Sequence, residues 1–258
     1  MNYSSEQIQQ LNRECENAKE SLQRLCFDVV QAVSDIENEM VRDHLVHGAG
    51  RRLKTMSRCL SNVFELFPLE AKRPIDTDSL ADAQINLQAF VMNLFGYFDN
   101  LAWAFVYRHN LLTEIGRKNS VGLFLLATQK RLPSELRQYL QSHEISTWHA
   151  TYLKNYRDAL AHRIPPYIPP ALLLHKDTPR YTELELEKES AIHSQNWIKL
   201  REIEANQAEM ESAFPVFMHS FKEDQEQGPV RLHPQMLADA NTVIDFTPRF
   251  LKQWDQHA

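Results

Sequence analysis

The feature that most narrows the folds open to this chain is an apolar seam near its start. Ile8, Leu11, Cys15, Ala18, Leu22, Leu25, Val29, Ala32 and Ile36 follow one another at alternating spacings of three and four residues. That rhythm keeps one stripe of a helix apolar, and the stripe must be covered either by other helices of the same chain or by a second copy. The pattern predicts one long helix ending near His47-Gly-Ala-Gly, where glycine supplies the stop, and then a shorter helix from about Arg51 to Leu66.

A second helix is expected from the caps offered by Asp76-Thr-Asp-Ser to about His109. It is apolar nearly all round, through Leu87, Phe90, Val91, Leu94, Phe95, Phe98, Leu101, Trp103, Phe105 and Val106. Gln88, Asn93, Asp99 and Asn100 interrupt the run and would be costly in lipid, so a buried central helix is expected and not a membrane span. Asn86, Asn93 and Asn100 recur every seven residues and share one line, where they either bond to neighbouring helices or line a polar site. With only six glycines in 258 residues, the whole reads as a mainly α chain.

Residues 113–130 read as a connector, Pro133 starts another helix, and a further helix runs from about Ile145 to His162. At about 100° per residue, Ile145, Tyr152, Leu153, Tyr156 and Leu160 fall on one face of that last helix. Trp148, Thr151, Asn155, Asp158 and His162 form a polar stripe opposite, suggestive of a lined cleft. Arg163-Ile-Pro-Pro-Tyr-Ile-Pro-Pro must then leave the helix as an extended strap, and it marks a boundary between residues 1–165 and 166–258. Beyond it come a Glu-rich helix from Tyr181 to about Ser212 and a possible short hairpin between the segment from Pro215 and Val230-Arg-Leu. A final helix from about Gln235 to Trp254 should be kinked or broken at Pro248.

Charge is unevenly placed: from Arg108 to Arg163 nine Lys/Arg face four Asp/Glu, whereas from Lys176 to Glu226 six face twelve. A basic bundle with an acidic appendage is compatible with an RNA-facing surface, against an overall charge of −6. Cys15, Cys26 and Cys59 form no C-x-x-C pair and no secretory signal precedes them, so reduced thiols and a cytoplasmic location are expected. No G-x-x-x-x-G-K-[ST], G-x-S-x-G or G-x-G-x-x-G occurs, which disfavours phosphate-loop ATPases, α/β-hydrolases and dinucleotide-binding folds, and no cofactor is expected. His44 and His47 lie a turn apart near Glu39 and Asp43, but no H-E-x-x-H supports them, so no metal is expected.

The stretch Asn155-Tyr-Arg157-Asp158-Ala-Leu-Ala-His162 resembles the R-x4-6-H signature of the HEPN superfamily, with Asp158 as the polar residue after the arginine. The likeness covers the motif and the helices before it, roughly residues 5–165. It implies an up-and-down helical bundle, followed here by a C-terminal helical extension, and a metal-independent endoribonuclease acting as a homodimer. It also implies a toxin or defence component restrained by an inhibitory protein partner. In that reading His162 transfers the proton that lets a ribose 2′-hydroxyl attack the adjacent phosphate, Arg157 stabilises the phosphoryl oxygens, and Asp158 orients the imidazole. Asn155, Asn100 and Trp148 are candidates for contacting the RNA. On an ideal helix Arg157 lies about 140° around from His162, a difficulty that a composite site at a dimer interface would ease. Arg42-Asp43-His44-Leu-Val-His47 repeats the same lettering at the predicted end of the first helix. The alternative from another class is a non-catalytic dimeric helical module that binds RNA or a protein partner.

Overall fold

A computed structural model describes residues 3–173, 175–219 and 228–256. Helix α1 (Ser5–Gln31) opens with a full capping box, Ser4 Oγ accepting from Gln7 N while Gln7 Oε1 accepts from Ser4 N. Its seam residues Leu11, Cys15, Ala18, Leu22, Leu25 and Val29 are buried. The chain itself covers them, because α1 packs on α3 (Arg51–Leu66) and on the last helix, α12 (Leu232–Gln253). The seam is therefore an internal packing stripe.

The first helix stops much earlier than its periodicity suggested. Residues 32–38 turn, and Asn38 caps a new helix, α2 (Glu39–Arg42), by accepting from Val41 N at 3.3 Å. Val33, in the turn, is buried, and Ala32 and Ile36 still pack on the core, which is why the apolar rhythm ran on past the break. From α2 the helix continues through a π-helical turn (Asp43–Gly50) directly into α3. Gly48 is thus not a stop. A Cβ there would come within 2.4 Å of the Asn100 amide, so the glycine is what allows the π-turn to lie against α4 (Thr77–Arg108).

Helix α4 is the central post, capped by Asp76 and in contact with the π-turn, α2, α3, α9 (Lys154–His162) and α12. Phe90, Leu94, Tyr97, Leu101 and Phe105 are fully enclosed. Tyr97 donates to Thr247 Oγ1 at 2.7 Å, since that hydroxyl already gives its own proton to Val243 O. Short helices α5 (Leu112–Ile115) and α6 (Leu126–Gln129) make up the connector, and α7 (Ser134–Gln141) follows Pro133. Then α8 (His143–Thr147), a second π-turn (Trp148–Leu153) and α9 (Lys154–His162) form one helical run.

The proline strap leaves α9 extended and is tied back onto α4, with Ile168 N donating to Gln84 Oε1 and Gln88 Nε2 donating to Pro166 O. It also pairs at Tyr167 with Met218. Strand β1 (Leu172–Leu173) leads to a helical hairpin, α10 (Thr178–His193) and α11 (Trp197–Met210), and returns as β2 (Glu211–Ser212), antiparallel to β1. The single Glu-rich helix read from the sequence is thus two, split where Gln195 takes a left-handed φ of 52° and Asn196 caps α11. This hairpin has its own small core of Leu184, Ala191 and Ile203. The expected strand pair forms between β3 (Val216–His219) and β4 (Gly228–Arg231), and the segment joining them lies outside the described residues.

Helix α12 runs unbroken through Pro248. Its Met236, Leu237, Ala240, Val243, Phe246 and Phe250 belong to the same core as α1, α3 and α4. The final helix, although it lies beyond the strap at residue 165, is therefore a member of the bundle. A buried clamp holds it: His233 Nε2 donates to Phe67 O at 2.8 Å, leaving Nδ1 to accept from Tyr3 at 3.2 Å. The fold is mainly α, and among the described residues no helix is long and apolar enough to cross a membrane.

Candidate functional site

The second π-turn decides what α9 presents. A π-turn takes an extra residue per turn, so side chains before Leu153 are rotated relative to a regular helix drawn back from His162. Trp148 therefore leaves the polar stripe and points at α12, where its indole N–H donates to Asp239 Oδ1 at 2.8 Å. His149 comes instead to the side of the helix that carries Lys154 and Arg157.

These three residues, with Leu153, line one wall of a pocket of about 330 Å³; Phe95, Phe98 and Asp99 of α4 and Asn119 with Val121–Leu125 of the connector form the rest. His149 stacks on Phe124 almost in parallel, with centroids 3.7 Å apart. Burial, together with the nearby Lys154 and Arg157 charges, pushes His149 down to about 4, so its ring is neutral. The Arg157 guanidinium lies 4.3 Å over the Phe95 ring and pairs through Nη1 with Asp158 at 3.0 Å, while its buried Nε has no hydrogen-bond partner among the described residues. Asp99 makes no hydrogen bond or ion pair with any described residue. Burial raises its pKa, against the opposing charges of Arg157 and Arg52.

His162 stands exposed in the last turn of α9 and does not line this pocket. The turns from Lys154 to His162 are regular, so the offset of about 140° between Arg157 and His162 remains. Asn155 is tied to its own helix, donating to Ala150 O and Thr151 O, and Arg163 donates to its carbonyl oxygen at 3.0 Å. Asn100 lies on the other side of α4, in a polar seam with α3. Its Oδ1 accepts from Arg52 Nε at 2.8 Å, Arg52 Nη1 donates to Asn93 Oδ1, and Asn62 donates to Asn86 Oδ1. The three asparagines of α4 thus satisfy neighbouring helices. The seam needs a close approach, since a Cβ at Gly96 would come within 2.4 Å of the Arg52 guanidinium.

The first copy of the motif sits in the first π-turn, whose bonding from residue i to i+5 brings residues five apart onto one side, so Arg42 and His47 share a face. Both are exposed, and His47 Nδ1 accepts from Arg51 Nη2 at 3.2 Å. His44 packs beside both Trp103 and Tyr107, which also stack on each other, and meets the Asn100 amide. Among the described residues no cluster of three or more His, Cys, Asp or Glu is placed to hold a metal ion.

Asp99 and His149 were not read from the sequence as site residues. Asp99 carried a signal, as a lone carboxylate inside a helix apolar nearly all round. His149 carried none, because its position depends on the π-turn. No protein-family model, curated protein or solved structure matches this chain.

Proposed function

We propose that this chain is a metal-independent endoribonuclease of the HEPN type, acting as a homodimer. One observation carries the reading: at the end of a bundle helix, Arg157 is paired with Asp158, while His162, one turn on, is exposed and makes no hydrogen bond or ion pair with any described residue. A solvent-facing imidazole can take a proton from a bound hydroxyl. A paired arginine facing a pocket supplies fixed positive charge for a phosphate. His47 is less suited, since Arg51 already occupies its Nδ1.

Because Arg157 and His162 point to different sides of α9, one copy does not bring both to the same phosphate. Cleavage then draws His162 from one protomer and Arg157 from the other. His162 takes the 2′-hydroxyl proton, the 2′-oxygen attacks phosphorus as the bond to the 5′-oxygen breaks, the 5′-oxygen takes a proton from water, His162 returns its own to the solvent, and the product ends in a 2′,3′-cyclic phosphate. Such an activity would require restraint in the cell by a partner protein, as the family resemblance suggests.

The test is RNA cleavage in EDTA by wild type, His162→Ala, Arg157→Ala and His47→Ala, with analysis of product ends. The reading expects loss in the first two variants only, and partial recovery when those two are mixed, since mixed dimers carry one intact composite site. Absence of cleavage by wild type across varied RNAs would favour the non-catalytic binding module.

A further inference from the structure

The pocket beside Arg157 brings together three demands that a ligand would have to meet at once. It is lined by the rings of Phe95, Phe98, Phe124 and His149, of which Phe124 and His149 stack on each other and Phe95 lies under the Arg157 guanidinium, and this mainly aromatic lining suits a planar ring system. Lys154 and Arg157 stand at one wall, and although Arg157 is paired with Asp158, Lys154 makes no ion pair with any described residue, which suits an anionic group. Across from them Asp99, half-buried and without a hydrogen-bond donor from any described residue, asks for N–H groups. A carboxylate left in that state is costly, and a ligand that supplies two parallel donors relieves it. The volume of about 330 Å³ falls at the lower end of what small-molecule sites enclose.

We propose that this pocket seats a guanine nucleotide, with Asp99 accepting the N1–H and N2–H donors of the base and Arg157 with Lys154 holding its phosphate. Of the four common bases only guanine offers two adjacent donors on its Watson–Crick edge. Cytosine and adenine present one amino group next to an acceptor, and uracil presents a single N–H between two acceptors. An acceptor opposite the Asp99 carboxylate repels it, so the other bases are penalised as well as under-bonded. The inference deepens the ribonuclease reading, on which it rests for its biological setting, by giving that site a base preference: a guanosine placed beside the arginine that meets the phosphate.

The experiment is equilibrium binding of GMP, AMP, CMP and UMP to the full chain, with the catalytic question kept apart by using mononucleotides. The expected result is GMP bound about tenfold or more tightly than the other three, the discrimination a bidentate base contact typically provides. Asp99→Asn, which keeps the size of the side chain but replaces one acceptor with a donor, should bring the four within about threefold. Lys154→Ala, at an exposed position, should weaken all four alike without changing their order. Far-UV circular dichroism of each variant verifies the fold, and Asp99→Glu, which retains the carboxylate, should keep part of the preference if Asp99→Asn proves unstable. Equal binding of the four, no binding of any, or a guanine preference that survives Asp99→Asn overturns the proposal. Guanine preference in a protein that cuts no RNA would sink the nuclease reading and leave the pocket; cleavage by a protein indifferent to guanine would do the reverse.

Discussion

Replacing Asp239 with asparagine should stabilise this protein above neutral pH and do so less and less as the solution is acidified. Asp239 is enclosed in α12, and its Oδ1 accepts from Trp148 Nε1 at 2.8 Å and from Gln235 Nε2 at 2.9 Å. Burial raises its carboxyl to about 7 despite both bonds, from an ordinary value of 3.8. The unfolded chain releases this proton near the ordinary value and the folded chain does not, so stability falls as pH rises through that window and levels off above about 7. Each pH unit is worth about 1.4 kcal/mol, and roughly three units give about 4 kcal/mol by pH 8. Asparagine keeps the Oδ1 acceptor for both donors and removes the charge. Its new N–H₂ costs about 1 kcal/mol if it finds no acceptor, but that cost does not vary with pH. The advantage of Asp239→Asn should therefore grow by about 2 kcal/mol or more between pH 5 and pH 8. Urea unfolding of both proteins, followed by circular dichroism across that range, reads it directly. Buried histidines titrate in the same window with the opposite sign, which is why the difference between variant and wild type is the quantity to measure. A difference independent of pH would mean that the carboxylate is ionised, or never ionises, throughout, and would overturn this account of Asp239.

Other expectations follow from single features of the fold. His233 is fully buried and held down to about 4, so as pH falls below about 6.5 the unfolded chain gains a proton that the folded one refuses; His233→Phe should flatten this acid-side loss, by up to about 3 kcal/mol, in the same urea series. Gly48→Ala should cost about 1–3 kcal/mol through overpacking, seen as a lower unfolding midpoint, because the methyl meets the Asn100 amide. Arg52→Ala should cost about 2 kcal/mol in the same assay, since it strips the donor from Asn93 and Asn100 together. Replacing the residues between Leu173 and Glu211 with a short glycine linker should leave the melting temperature of the bundle nearly unchanged, because those two residues already pair across β1 and β2 and the excised hairpin keeps its own core.

Much of the architecture was legible in local patterns. The seam of α1, the near-continuous apolar surface of α4, the capping residue Asp76 and the proline strap are each governed by chemistry within a few residues, so the mainly α class and the bounds of α4 followed from them. The β3–β4 pair was legible for the same reason. What periodicity hid was a change of period. At residues 32–38 the chain turns while its apolar side chains keep facing the core, and at 43–50 and 148–153 the helix takes a π-turn with no residue type that announces it. Gly48 looked like a helix stop because a sequence does not reveal that its neighbour in space is Asn100.

The sequence alone therefore determined the helical class, the existence of an Arg157-Asp158-His162 motif at a helix end, and the uneven placing of charge. These depend on residue identity and short spacing. Packing between helices is what covers the first seam with α3 and α12, brings the last helix into the bundle core, and turns Trp148 to Asp239 while His149 and Arg157 meet Asp99 around a pocket. Those outcomes depend on which helix faces which, and a π-turn rotates a whole face by local backbone geometry that side-chain spacing does not encode.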